Sequence, residues 1–213
     1  MKKLVMFLVT TVLAFAVVGC GAKKGEMIPL PQNDEKLESD EAEKEHLTGK
    51  HSVVIDVEDY GEITVELDAD VAPITVTNFI ELVNEEFYDG LTFHRIIDGF
   101  MIQGGDPLGN GTGGSRKTIT GEFSNNGIEN NITHNRGVIS MARSGNDMNG
   151  ASSQFFIVHT DSPHLDGDYA GFGHVTSGIE VVDAIVRDVP AQDDNGTVSE
   201  EDQPKITSIR VVE

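Results

Sequence analysis

A closed antiparallel β-barrel with helices over its open ends is the fold class this sequence predicts. Three observations predict it. Short β-rich runs separated by turn residues begin at Ser52 and continue to the end of the chain. Two stretches show helical apolar spacing, too few for a bundle. The composition, with 23 Gly and no Trp in 213 residues, suits many tight turns around a core with few aromatics.

The elements follow in order from local patterning. Val53-Val54-Ile55-Asp56-Val57 and Ile63-Thr64-Val65-Glu66-Leu67, joined by a turn containing Gly61, predict a hairpin. Pro73 then opens a helix, where its missing N–H costs nothing, and Val76, Phe79, Ile80, Val83 and Phe87 form one apolar stripe. Further strands are expected over 91–97, 100–103, 137–142, 154–159, 171–175 and 205–212, with a second helix over 179–187. No internal repeat is visible.

The residues before this region differ in kind. Lys2 and Lys3 precede an apolar run over 4–18, which is short of the roughly 20 residues a membrane span needs and reads as an export signal. The run ends in Val17-Val18-Gly19-Cys20, which resembles the lipobox of bacterial lipoproteins, with Val17 where Leu is more usual. That resemblance implies a signal peptide over 1–19, lipidation of Cys20, and attachment to the outer face of the cell membrane. Residues 20–50 are polar and mixed in charge, include Pro29 and Pro31, and contain too little apolar surface to order themselves. They read as a tether with a reach on the order of 30 Å, leaving residues 51–213 as the working domain.

Charge and cysteine count exclude several functions. A net charge of -21 repels phosphate backbones, so nucleic acid is not expected as a partner. Cys20 is the one cysteine, so neither an intrachain disulfide nor a thiolate metal cluster can form. The His residues show no ligand spacing on one helix, and no metal or other cofactor is expected. Gly109, Gly111 and Gly114 match a dinucleotide fingerprint in spacing but lack the amphipathic helix that should follow. His94 is read as a packed or hydrogen-bonded strand residue. The domain is read as a monomer.

The chemistry lies in one long run, Tyr88-Asp89-Gly90-Leu91-Thr92-Phe93-His94-Arg95-Ile96-Ile97-Asp98-Gly99-Phe100-Met101-Ile102-Gln103-Gly104-Gly105-Asp106. Residues two apart on a strand share a face, so Met101 pairs with Gln103 and Gln154 with Phe156, each pair setting an apolar group beside an amide. That combination suits a proline ring flanked by peptide groups. The run closely resembles the signature of the cyclophilins, and Asn110-Gly111-Thr112-Gly113-Gly114, Ser153-Gln154-Phe155-Phe156-Ile157, Leu165-Asp166-Gly167 and Phe172-Gly173 resemble the same family in the same order.

The resemblance covers 52–213. It implies a closed eight-stranded antiparallel barrel capped by two α-helices, with a substrate groove outside the barrel, and cis/trans isomerisation of X-Pro bonds in exported, unfolded or loop-exposed segments. It assigns catalysis to Arg95 and Gln103 and the ring pocket to Phe100, Met101, Phe156 and Leu165. Gly111, Ala142, Arg143 and Gln154 are assigned to the adjoining groove, Ala142 and Arg143 partly through backbone groups. Two positions depart from the family pattern: His164 stands where many members have Trp, and Tyr169 replaces a pocket His. Loss of the indole implies weak binding of cyclosporin, the family's inhibitor. The loop 144–152 is also about two residues longer than in the best-known eukaryotic members. A competing reading from the same residues is a non-catalytic module that docks proline-containing peptides.

The anchor reading has a direct test. Two or more acyl chains hold a protein stably at about 0.8 kcal/mol per buried CH₂, so Cys20→Ala is expected to move the protein from the membrane to the soluble fraction, with metabolic lipid labelling of the wild type only. Retention of the variant at the membrane, with no label on the wild type, would sink it.

Overall fold

The computed structural model describes residues 45–212. Signal segment, Cys20 and most of the tether lie outside the described residues. Residues just before the first strand already touch the domain: the Leu47 amide donates to Thr77 Oγ1 at 2.8 Å and the Gly49 amide to Asp70 Oδ1 at 2.7 Å.

Eight strands and two α-helices follow. The strands are β1 (Lys50–Val57), β2 (Gly61–Asp68), β3 (Phe93–Ile97), β4 (Met101–Gly104), β5 (Val138–Met141), β6 (Phe155–Val158), β7 (Gly171–Ser177) and β8 (Ile206–Val212). The helices are α1 (Pro73–Asn84) and α2 (Ile179–Asp188). All the strand pairs are antiparallel, in the order β3-β4-β6-β5-β7-β2-β1-β8. Alternation explains the hairpin: Val53, Ile55, Val57, Ile63, Val65 and Leu67 are buried, and the residues between them are not.

Two expectations need correction. The barrel does not close: the sheet is a curled half-barrel whose end strands, β3 and β8, share no ladder. Their approaches meet instead through a single Thr92–Lys205 bridge and bonds from Gly90 N to Ile206 O (2.8 Å), Ile206 N to Leu91 O (2.7 Å) and Phe93 N to Pro204 O (2.9 Å). Pro204 accepts but has no N–H to give back, so the contact cannot grow into a ladder. The free edge of β3 is taken by the segment before β8, with Ile96 N bonded to Gly196 O (2.8 Å) and Val198 N to His94 O (3.0 Å).

The second correction concerns the helical stripe. Val76, Phe79, Ile80 and Val83 are buried as expected, but α1 ends at Asn84 and Glu86 takes a left-handed φ of 57°, so Phe87 lies beyond it. Phe87 packs edge-on to Tyr88 with 5.5 Å between ring centroids.

Both helices pack on the sheet, α1 against β8 and β2 and α2 against β2. Within the curl, Phe79 meets Tyr88, Phe155 and Phe172 at 5.0, 5.5 and 5.3 Å between centroids. These rings lie at spacings that favour tilted and edge-on aromatic pairing.

The start of α1 is capped from a distance. Its N-cap residue, Ala72, has no side-chain cap, and the orphan amides of Ile74 and Thr75 donate to Glu122 Oε1 and Oε2 at 3.0 and 2.8 Å. The Thr75 hydroxyl adds a bond at 2.6 Å, and Glu122 is only 2% exposed. The negative carboxylate also lies at the positive end of the helix dipole. Glu122→Ala leaves three donors unmatched, and the expected cost is about 3 kcal/mol, read as a lower urea midpoint. Loss below about 1 kcal/mol would show that water satisfies those donors in the variant.

Candidate active site

Strand alternation on the outer face produces a second, smaller apolar cluster. On β4, Ile102 points into the main core while Met101 and Gln103 point outward; on β6, Ile157 and Phe155 face inward and Phe156 and Val158 outward. Register places Met101 opposite Val158 and Gln103 opposite Phe156. Leu165 and Val138 complete the cluster, with Phe100, Ala142 and Tyr169 against it.

A cleft of about 210 Å³ opens over this cluster. Its floor is Met101, Phe156 and Leu165, and its walls are Phe100, Ala142 and Tyr169. Tyr169 meets Phe156 edge-on at 5.9 Å. Arg95, Gln103 and Arg143 form the polar side.

Arg95 reaches the outer face because β3 is irregular. Phe93 is in the main core, so a regular strand would turn Arg95 inward as well; the β3–β4 register shifts between these two residues and sets Arg95 opposite Gln103. Three bonds then fix the guanidinium. Nε donates to the Asn195 carbonyl at 2.7 Å, Nη2 to Asn195 Oδ1 at 3.5 Å, and Nη1 to Gln103 Oε1 at 3.1 Å. Nη1 also lies 3.9 Å from the Met101 sulfur. Burial lowers the Arg95 pKa from its usual value, against opposing pulls from Tyr169 and Asp193, and a guanidinium stays charged through such a shift.

The polar side continues as a relay of amides. Gln103 Nε2 donates to Gln154 Oε1 at 2.9 Å, and Gln154 Nε2 donates to the carbonyls of Gly111 (3.2 Å) and Gly113 (2.7 Å). This relay borders a second cleft of about 320 Å³, to which Gly111, Ala142, Arg143 and the loop residues Ser144 and Gly150 contribute. Arg143 folds back: its Nε donates to Asp168 O at 2.9 Å, and its Cζ lies 4.9 Å from the Tyr169 centroid and 5.1 Å from that of Phe123.

The residues singled out from sequence gather around one cleft or its neighbour, except His164. That ring is exposed and does not line the cleft; it packs on Phe100 at 5.3 Å between centroids, at the rim. Among the described residues no group of three or more His, Cys, Asp or Glu is placed to hold a metal ion.

The family model of the cyclophilin type peptidyl-prolyl cis-trans isomerases matches residues 52–211. The chain belongs to that family. Similar members include peptidyl-prolyl cis-trans isomerase B of Bacillus subtilis (strain 168), 53% identical over 124 residues, covering 58% of this chain and 82% of that protein. A Helicobacter pylori (strain J99) peptidyl-prolyl cis-trans isomerase is 48% identical over 127 residues, covering 59% and 75%. A crystal structure of a Cryptosporidium parvum cyclophilin type isomerase, obtained in the presence of the dipeptide Ala-Pro, superposes with a TM-score of 0.67 at 30% identity, covering 76% of this chain and 99% of that one. The protein is accordingly an isomerase of peptidyl-prolyl bonds.

Several residues around this cyclophilin site were invisible to sequence reasoning. Asn195 holds Arg95, and its turn is held by Asp193, whose carboxylate accepts from Thr197 N at 3.0 Å and Thr197 Oγ1 at 2.9 Å. Gly196, with φ +82°, allows that turn to pack: a Cβ there would lie 2.4 Å from Ile97 Cγ1 and 2.6 Å from Ile96 O. An Asn-Gly in a charged stretch signals a turn, but nothing in it points to β3.

Beneath Phe156 lies a Ser–His–Asp relay. His134 Nδ1 bonds Asp166 Oδ1 at 2.8 Å, His134 Nε2 bonds Ser140 Oγ at 2.9 Å, and the imidazole stacks on Phe156 at 6.0 Å and 19°. Ser140 is fully buried and His134 only 1% exposed, so the hydroxyl cannot meet a substrate, and the relay supports the cleft floor instead. Burial lowers the His134 pKa, outweighing the upward pull of Asp166. Asp166 is also lowered: burial alone would raise it, but the backbone and ring of His134 accumulate a larger opposite effect.

Both shifts make stability pH-dependent in the same direction. The unfolded state takes up a proton at His134 near its ordinary pKa of about 6.5 before the folded state does, and at Asp166 near about 3.9. Stability contributed here is complete above about pH 6.5 and falls as acid is added. The urea midpoint of the wild type should therefore fall between about pH 7 and pH 5, and His134→Gln should flatten that part of the profile. An unchanged slope in the variant assigns the acid sensitivity elsewhere.

Proposed function

We propose that this isomerase acts on prolyl segments of exported proteins, at the outer face of the membrane to which Cys20 is lipid-anchored, with Arg95 as its principal catalytic group. The apolar cleft beside a fixed guanidinium is the observation that supports the catalytic assignment. The leader and lipobox resemblance support the location.

An X-Pro peptide bond resists rotation because conjugation gives its C–N bond partial double-bond character, with a barrier of about 18–20 kcal/mol. As the bond twists, the prolyl nitrogen pyramidalises and regains its lone pair. In this reading the ring sits on Met101, Phe156 and Leu165, and Arg95 directs an N–H at that nitrogen, a charge-assisted interaction stronger in the twisted state than in the planar one. Gln103 orients Arg95 through its carbonyl and presents its amide to the substrate backbone. Gly111, Ala142, Arg143 and Gln154 flank the residues on one side of the proline.

No bond is cleaved and no group is transferred. The rate gain comes from preorganisation: three bonds to Arg95 are formed before substrate arrives, so little reorganisation is left for the twisted state.

Losing one preorganised donor typically costs about 10²–10³-fold, so Arg95→Ala should lower kcat/KM on an Ala-Pro peptide by that factor in protease-free NMR exchange measurements. Arg95→Lys keeps the charge but loses the planar fork and the bonds to Asn195, and should recover only a small part. Equal activity in wild type and Arg95→Ala would overturn the assignment. Cyclosporin should bind more weakly than to Trp-bearing relatives, because His164 offers a smaller stacking surface, and His164→Trp should tighten it; a wild-type affinity matching those relatives contradicts this.

A further inference from the structure

The apolar cleft and the second cleft meet along Gln103, Ala142 and Arg143, which line both. No carboxylate lines either of them, although the chain carries 36 Asp and Glu against 15 Lys and Arg. The charges that do line them are two guanidiniums, Arg95 in the apolar cleft and Arg143 in both. Arg95 is already committed to Asn195 and Gln103. Arg143 stands at the junction.

What holds Arg143 is neutral. Arg136, Arg187 and Arg210 each pair with an aspartate. Among the described residues, by contrast, the hydrogen bonds of Arg143 all go to main-chain carbonyls: Nε donates to Asp168 O at 2.9 Å, and Nη1 to Ser144 O at 3.0 Å and Gly145 O at 3.4 Å. Nη2 has no protein partner among them. The rings of Phe123 and Tyr169 flank the group. The Asp168 carboxylate is engaged with Asn125 Nδ2 at 2.8 Å, and that of Asp147, in the loop after Arg143, with the Asn149 amide at 2.9 Å. Carbonyls and ring faces fix a guanidinium without cancelling its charge, so a cation of set direction is left for what enters the clefts.

We propose that Arg143 makes this isomerase selective for prolyl segments that carry an acidic side chain one or two residues from the proline, by pairing with that carboxylate through Nη2. The inference rests on the reading that the apolar cleft takes the proline. A chain advances about 3.5 Å per residue, so the side chain of a near neighbour falls over the junction where Arg143 stands. The overall charge of -21 does not forbid an acidic segment. At about 0.15 M salt the screening length is about 8 Å, which damps the remote carboxylates but not a contact with a fixed guanidinium. Bracing Phe123 and Tyr169 accounts for the stacking of Arg143 but not for its charge, since an apolar side chain would brace two rings as well.

Two peptide frames test this by NMR titration at 0.15 M salt, acetyl-Xaa-Ala-Pro-Ala-N-methylamide and acetyl-Ala-Pro-Ala-Xaa-N-methylamide, each with Xaa as Glu, Gln or Lys, so that both directions of the chain are covered. In one frame the wild type should bind the Glu peptide roughly two- to fivefold more tightly than the Gln peptide, the range of an exposed ion pair, and the Lys peptide more weakly than either. Arg143→Leu should bring the Glu-to-Gln ratio close to one, and Arg143→Lys, which keeps the charge, should retain a preference for Glu. A residue that only braced the rings would, on removal, weaken all three peptides alike and leave the ratio where it was. A wild type that binds Glu and Gln peptides equally in both frames, or a Leu variant that keeps the preference, overturns the proposal. Exchange spectroscopy on the same samples separates the two readings: a wild type that binds but isomerises none of the peptides counts against the catalytic role of the apolar cleft, while the binding ratios still decide the role of Arg143.

Discussion

Arg95 and Gln103 face each other across the β3–β4 ladder, and the outer face of the half-barrel is arranged around that pair. The pair exists because one residue too many is fitted into β3 before Arg95, which reverses the side on which the guanidinium emerges. From there a continuous set of bonds runs from the Asn195 turn through Arg95, Gln103 and Gln154 to the carbonyls of Gly111 and Gly113. Each amide fixes the orientation of the next, so the polar side of the cleft is a connected framework and not a set of independent side chains.

The apolar side depends on alternation. Strands β4 and β6 contribute to two clusters at once, Ile102 and Phe155 to the interior and Met101 and Phe156 to the cleft. Apolar residues on the outer face of a sheet are costly unless something covers them, and here Leu165, Phe100 and Tyr169 cover all but the slot. The buried His134 relay then stiffens the floor from behind.

Much of the fold was legible in the sequence because it is local. The hairpin of β1 and β2, the opening of α1 at Pro73 and the existence of every strand follow from period, proline and glycine. What was not legible depends on partners far along the chain. Phe87 continues a helical spacing, but the helix stops when Glu86 turns left-handed. The failure of the barrel to close depends on Pro204 and on a loop crossing the edge of β3. The cleft residues were legible because the run from Tyr88 to Asp106 is long and specific; Asn195, Asp193, His134 and Glu122 were not, because their roles appear only once segments some tens of residues apart meet.

The segment over 195–198 lies along the rim of β3 and also supplies, from Asn195, the carbonyl that steadies Arg95. An open sheet offers unpaired backbone groups to any extended polypeptide, and an enzyme of prolyl bonds meets such polypeptides as its ordinary business. By covering that rim with its own chain, the protein leaves a visiting strand no free backbone groups to anneal to beside the slot. The placement of the catalytic guanidinium and the cover of the sheet edge are thus tied to the same few residues, and loosening this turn would disturb both.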